Sequence, residues 1–467
     1  MMCFAGQLEW RGLMRLRPGF CTLMLVGVAT AAFLTSVPSA VAADAVTEWT
    51  LEADRLGQGD ANWRTLAIMH QAVHDAANAV QPRYGRWSPP LAGEPPAAGA
   101  RLEAAIAGAA AQVLVNLHPD QQAQIGVLFQ SAMRRLPVEP AVQAGLALGQ
   151  AIGNAAVTRR RGDGFERVHA FTGGDAPGRW RPVPPSHATS NTTATVPFLF
   201  ASRNWGGASI PPVPGSPAFL RDVAEVRRIG GLQSSARTAA ETYAGAYWAY
   251  QSSQRGFILL GASLLDSHPM PGGLLDHARV MSQLASAMAD AAIMAWAEKE
   301  RFVYWRPITV IQGGYSGVRP DPGWTSLIET PPHPEYPSGH ATDCFTGAGV
   351  LAGVFGRRVT PITYVAQSGI PQAEMAAIGM GPQAQLGNLT AVPRRFPSFA
   401  AIARECSLAR IWAGAHFRSG NREAERLGGE IAARALAAVP GAERLRSSAV
   451  DDGSSDRFSG DNAPAMQ

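Results

Sequence analysis

Along most of this chain, apolar and small residues return every three to four positions, the spacing of a helix face turned toward a core. The pattern recurs at roughly 62–80, 99–117, 119–136, 139–159, 217–230, 235–265, 273–303, 338–355, 398–414 and 422–438. Alternation of the strand type is scarce. These stretches predict an all-α protein built from helical bundles, with an N-terminal helical part over 44–235 and a C-terminal helical domain over 236–440. Between Arg160 and Pro217 lies a stretch rich in Pro, Gly, Ser and Thr, "GGDAPGRWRPVPPSHATSNTTATVP". It reads as a long coil over 160–217, placed to cover a site. The polar end over 447–467 is poor in bulky residues and predicts a disordered tail.

The first residues follow a different logic. Arg11, Arg15 and Arg17 precede an apolar run from Cys21 to Leu34, and small residues follow as far as Ala43. That order predicts a signal peptide over 1–43, cleaved near Ala42 or Ala43, and hence an exported protein, periplasmic or extracellular. Cys3 and Cys21 leave with it, so the mature chain keeps Cys344 and Cys406, which export would allow to pair. The formal charge of +4 includes those leader arginines, so the mature chain is close to neutral. Without a basic run, no nucleic-acid partner is expected.

Three short stretches hold the chemistry. "HPEYPSGHA" at 333–341 places Ser338 as a helix cap, and the unpaired N–H groups of such a start attract anions. Lys299 and Arg306 lie seven residues apart, so a helix running through Tyr304 would project both cations from one face. In "ARIWAGAHFRSGN", unbroken helix would leave Arg410 and His416 about 120° apart. A helix ending near Gly414 would instead put Arg410 in its last turn and His416 on the turn that follows.

Taken in order, Lys-x6-Arg-Pro, Pro-Ser-Gly-His and Arg-x5-His resemble the signature of the vanadium-dependent haloperoxidase and type 2 phosphatidic acid phosphatase (PAP2) superfamily. The words "MHQAVHDAANAV", "EVRRIGGLQSSARTAAETYAGAYW" and "YWRPITVI" are similar to bacterial members of the haloperoxidase branch and extend the likeness over most of the mature chain. The resemblance implies two four-helix bundles around an oxyanion pocket. Lys299, Arg306, Ser338, the Gly339 N–H and Arg410 would hold vanadate, or phosphate in the same place. His416 would be the apical group, ligating vanadium or attacking phosphorus, and His340 the general acid or base. The implied reaction is oxidation of halide by hydrogen peroxide, with a small organic molecule as final acceptor. A PAP2-type acid phosphatase working on phosphomonoesters through a phosphohistidine is the alternative, and a catalytically weak helical binding protein a further one.

The pattern departs from this family in two places. Ala409 stands where Ser is common before the third-motif Arg, and Gly420 where Asp is common four residues after the apical His. A carboxylate at the second position could orient the imidazole; Asn421 and Glu423 are the nearby candidates to replace it. His333, seven before His340, resembles bromide oxidisers more than chloride oxidisers, and Trp296 matches an aromatic bordering the halide region in some members. The two favour bromide or iodide. His70 and His74 share one helix face at ligand spacing, but without further ligands a packing role is the expected one.

Overall fold

The computed structural model describes residues 44–57, 62–182, 189–201, 205–357, 359–365 and 393–439; the leader over 1–43 and the tail over 447–467 lie outside them. Long helices dominate: α1 (Ala45–Leu56), α2 (Asn62–Val80), α3 (Leu102–Leu117), α4 (Gln122–Arg134) and α5 (Pro140–Arg159) come first. After the coil follow α6 (Pro217–Ile229), α7 (Ala239–Ala249), α8 (Ser253–Ser267), α9 (Leu274–Phe302) and α10 (Pro307–Gly313). The last are α11 (Gly339–Phe355), α12 (Phe399–Trp412) and α13 (Arg418–Ala438). Strand is confined to two antiparallel pairs, β1 (His169–Ala170) with β2 (Thr189–Ser190) and β3 (Ile362–Tyr364) with β4 (Arg394–Phe396). The fold is all-α.

Helix α9 is the axis of the molecule. From Leu275 to Ala295 every residue is buried, which a helix shows only when neighbours surround it. It packs against α2 and α8 and also against α11 and α13. On the N-terminal side α3 and α5 approach closely, because Gly145, Gly149 and Gly153 recur at every fourth position: a Cβ on Gly149 would stand 2.1 Å from the Ala105 carbonyl oxygen. No helix among the described residues is long and apolar enough to cross a membrane.

The hydrophobic pattern missed two helices and fused two others. Helix α1 buries Val46, Trp49, Thr50, Ala53 and Leu56 on one stripe and is capped by Asp44, whose side chain accepts from Thr47 N at 2.9 Å. Helix α10 has only seven residues and is opened by Pro307. The stretch read as one helix over 235–265 is α7 and α8, broken at Tyr250–Ser252, because Ser252 caps a new helix by accepting from Arg255 N. Gln251, Ser253 and Gln254 at this break line the cavity described below.

Candidate active site

The three motifs meet at one end of α9, though not by the helix expected through Tyr304. Helix α9 stops at Phe302, and Val303 takes the left-handed φ of 46°, rare for a β-branched residue, as its C-cap. The cause lies in its neighbours: the Trp180 N–H donates to the Val303 carbonyl at 2.8 Å, and the Trp305 N–H to Gly178 at 3.0 Å. Pro307 also biases Arg306 away from helical backbone, so Arg306 becomes the extended N-cap of α10. Lys299 and Arg306 thus converge across a turn.

Lys299 is fully buried, and its Nζ donates to the carbonyls of Pro334 and Glu335 at 2.8 Å and of Pro337 at 2.6 Å. All three protons are used on the 334–337 loop, so what Lys299 offers a ligand is charge rather than a free donor. Arg306 is equally buried and donates through Nε to the His333 carbonyl at 2.8 Å and through Nη1 to the Ala415 carbonyl at 2.7 Å. Its Nη1 also lies 3.0 Å from His416 Nε2, and Nη2 lies 3.0 Å from His333 Nδ1.

Arg410 and Ser338 differ in having open valences. Arg410 sits in the last turn of α12, 1% exposed, and its Nε and Nη1 are buried without hydrogen-bond partners. Ser338 caps α11, yet its Oγ is buried and unpartnered instead of closing back on the helix. Such groups are costly unless something fills them.

After α12 the chain turns at Gly414, with φ of +74°, where a Cβ would be 2.4 Å from the Gly230 carbonyl oxygen. The turn brings His416 N back to the Arg410 carbonyl at 3.2 Å and buries the imidazole. His416 Nδ1 lies 3.0 Å from Glu335 Oε1, which also accepts from Phe417 N at 3.0 Å. Since the Arg306 guanidinium can only donate, Nε2 keeps its lone pair, and the proton of the neutral imidazole sits on Nδ1, facing Glu335.

Glu335 is the residue sequence reasoning passed over. It is fully buried, and its second oxygen has no partner. The proposed substitutes for the missing Asp are engaged elsewhere: the Asn421 amide donates to the Ser407 carbonyl at 2.6 Å, and Glu423 Oε1 accepts from Ser209 N at 3.0 Å and from Arg426. At Gly420, a Cβ would stand 2.4 Å from Glu335 Oε1. Asp343, one turn beyond His340 on α11, was also passed over. It accepts from Ser253 Oγ at 2.8 Å, and burial pushes its carboxyl up to about 7. Its spacing of three from His340 was the available signal.

Three cations therefore share this interior with the Glu335 carboxylate. Burial, followed by the field of Arg306, holds Lys299 well below its ordinary value; burial brings Arg306 down to about 9 and Arg410 to about 10. Burial also pushes Glu335 up to about 7, against the pull of Lys299 and Arg306. His340, His333 and His416 all sit well below the imidazole range, first through burial and then through the arginines, so they are neutral at neutral pH. An interior with excess positive charge and unfilled donors suits an oxyanion.

A cavity of about 870 Å³ opens onto this cluster, with Lys299, Gly339, His340, Arg410 and His416 in its lining. Trp296 and His333 line it together, their rings 4.8 Å apart, and Phe171 stacks on Trp296 at 5.6 Å. His70 and His74 stand apart from it: His70 Nε2 is 3.3 Å from Thr50 Oγ1 and His74 Nε2 3.0 Å from the Gly85 carbonyl. No group of three or more His, Cys, Asp or Glu able to hold a metal occurs among the described residues.

Residues 279–441 match the family model of the VCPO second helical-bundle domain. Over 140 residues the chain is 31% identical to the vanadium chloroperoxidase of Curvularia inaequalis, a match covering 25% of this chain and 23% of that enzyme, so the likeness spans under a quarter of the curated relative. The first bacterial vanadium-dependent iodoperoxidase superposes with a TM-score of 0.64 at 20% identity, over 85% of this chain and 94% of that one. The holo form of a bacterial vanadium-dependent chloroperoxidase gives 0.58 at 17%, over 84% and 91%. The part of the chain that carries Lys299, Arg306, Arg410 and His416 thus matches the VCPO second helical-bundle domain, and the fold around it is the one these vanadium haloperoxidase structures share.

Proposed function

We propose that this protein is an exported, vanadate-dependent haloperoxidase that oxidises bromide or iodide with hydrogen peroxide. The observation that carries the reading is the buried set of Lys299, Arg306 and Arg410, with the donors of Arg410, in the cavity wall, and of Ser338, next to the wall residue Gly339, left unfilled. The unpartnered nitrogens and hydroxyl fit a tetrahedral oxyanion, whose charge would offset the mutual repulsion of the three cations. Vanadate bound there would supply Lewis acidity toward peroxide without a change of oxidation state.

The residues have separable tasks. His416, neutral and with its proton on Nδ1, would hold vanadium through Nε2, and Arg306, whose Nη1 lies 3.0 Å from that nitrogen, would supply charge beside it. His340, neutral in the cavity wall, takes the proton that peroxide gives up. His333, whose Nδ1 lies 3.0 Å from Arg306 Nη2 and 3.1 Å from the Pro334 carbonyl, is held beside Trp296, where the two rings would border the halide. Cys344 and Cys406 are joined in a disulfide, as suits an oxidising compartment, and the leader pattern supports export.

The test uses the mature protein stripped of metal and reloaded with orthovanadate in phosphate-free buffer. Bromination or iodination of a phenolic dye should require vanadate, peroxide and halide together, and should vanish in His340→Ala and His416→Ala. Absence of halogenation, together with vanadate-inhibited hydrolysis of a phosphomonoester, would make the protein a phosphatase instead.

A further inference from the structure

We infer that Glu335 is the positioning carboxylate of His416, supplied from the Pro-Ser-Gly-His loop instead of from the helix after the histidine, and that residue 420 is glycine in order to admit it. Three observations converge. Glu335 Oε1 lies 3.0 Å from His416 Nδ1 and accepts from the neighbouring Phe417 N, so one oxygen fixes both the ring and the backbone that carries it. Lys299 pins the Glu335 main chain through its carbonyl, and the Tyr304 carbonyl accepts from the Glu335 N–H at 2.9 Å, so the side chain starts from a fixed point. Any side chain at 420 would begin 2.4 Å from Oε1 and 3.1 Å from Oε2, inside contact distance.

Position 420 is where a carboxylate on α13 would reach the imidazole, and here the space is already filled by one coming from the opposite side. Glu335 and Gly420 are therefore one device. The chemistry needs an acceptor at Nδ1, because the tautomer set there decides whether Nε2 has a lone pair to give. It does not need the acceptor to come from a particular element. The assignment rests on the oxyanion reading only in taking His416 as the group that faces the anion.

The test separates the two. In vanadate-free protein labelled with ¹⁵N-histidine, His416 should show a protonated Nδ1 and an unprotonated Nε2, whatever the protein turns out to catalyse. In Glu335→Ala the Nδ1 signal should shift and the preference should weaken to what Arg306 alone imposes at Nε2, and orthovanadate affinity, read by calorimetry with phosphate as a second probe, should fall by about 10–100-fold. Glu335→Gln, which keeps the shape and an acceptor oxygen but not the charge, should keep the tautomer with a smaller loss.

The decisive pair is Gly420→Asp and Glu335→Ala/Gly420→Asp. Alone, the aspartate collides with Glu335 and should weaken anion binding; with Glu335 removed, the same substitution should restore the tautomer and part of the affinity. A His416 ring protonated at Nε2 in the wild type would overturn the inference. So would unchanged ¹⁵N shifts in Glu335→Ala, or a double variant no better than Glu335→Ala. If neither anion binds the wild type at all, the oxyanion reading fails, while the ¹⁵N result still decides the role of Glu335.

Discussion

Arg410→Leu is expected to lose vanadate and phosphate affinity by about 10²–10³-fold while the anion-free protein melts no lower than the wild type; Lys299→Met should instead lower the stability of the anion-free protein. Both side chains are buried cations of one site, and the difference lies in their partners. Arg410 Nε and Nη1 bond to nothing, so in the empty protein the residue is an uncompensated charge whose removal relieves repulsion with Lys299. With the anion present the same nitrogens supply two charge-assisted hydrogen bonds, each contributing about 1.5–3 kcal/mol. Lys299 holds three loop carbonyls, and methionine would take the donor from each, leaving those of Glu335 and Pro337 buried without it. The relief of repulsion on losing Lys299 is outweighed by those orphaned acceptors, at about 1–3 kcal/mol each, giving a net loss of about 2–4 kcal/mol. Thermal unfolding with and without orthovanadate reads both effects, since at about 100 times its dissociation constant a ligand adds about 2.7 kcal/mol to the folded state. A large stability loss in Arg410→Leu, or a wild-type melting temperature in Lys299→Met, would refute the division of roles.

How far the site was legible in the sequence depended on how far apart its partners lie in the chain. Arg410 and His416 are six residues apart with a glycine between them, and the turn at Gly414 follows from backbone permissiveness alone. Lys299 and Arg306 do come together, but across the turn at Val303 and not on the helix through Tyr304 that their spacing predicts. What breaks that helix is hydrogen bonding from residues 178–180, which no local pattern announces. Glu335 was in plain view inside the Pro-Ser-Gly-His motif, yet its meaning depends on a glycine on a different helix. A search confined to the neighbours of residue 420 finds Asn421 and Glu423, which structure commits to other partners. The helical architecture was the easier part: most predicted helices fall within a few residues of the observed ones, because the long alanine-rich faces leave little ambiguity of period. Where the pattern failed, at α1 and at the break between α7 and α8, single capping residues rather than hydrophobic spacing set the boundary.

Removing the Cys344–Cys406 bridge, by Cys344→Ser/Cys406→Ser, should lower thermal stability strongly and anion affinity only modestly. The bridge joins residues 62 apart in sequence, and closing a loop of that length restricts the unfolded chain by about 4 kcal/mol in the loop-entropy account. Its position gives a second consequence. Cys344 is one turn beyond His340 on α11, and Cys406 one turn before Arg410 on α12, so the bond ties the helix start that carries Ser338 to the helix end that carries Arg410. Yet the anion cluster is also held by Lys299 on the 334–337 loop and by Arg306 on the Ala415 carbonyl, neither of which the bridge touches. Those contacts keep the donors in register in the folded variant, so its affinity for orthovanadate should stay within about tenfold of the wild type, a difference of about 1.4 kcal/mol. Both sulfurs are fully buried, so in the wild type a mild reductant should act only as fast as the helices open, and vanadate, by stabilising the closed form, should slow it further. Calorimetric melting of the double variant, with thiol trapping of the wild type in reductant with and without orthovanadate, measures each part. A double variant that melts with the wild type would show that α11 and α12 are held by packing alone, and reduction indifferent to vanadate would show that the bridge opens independently of the anion site.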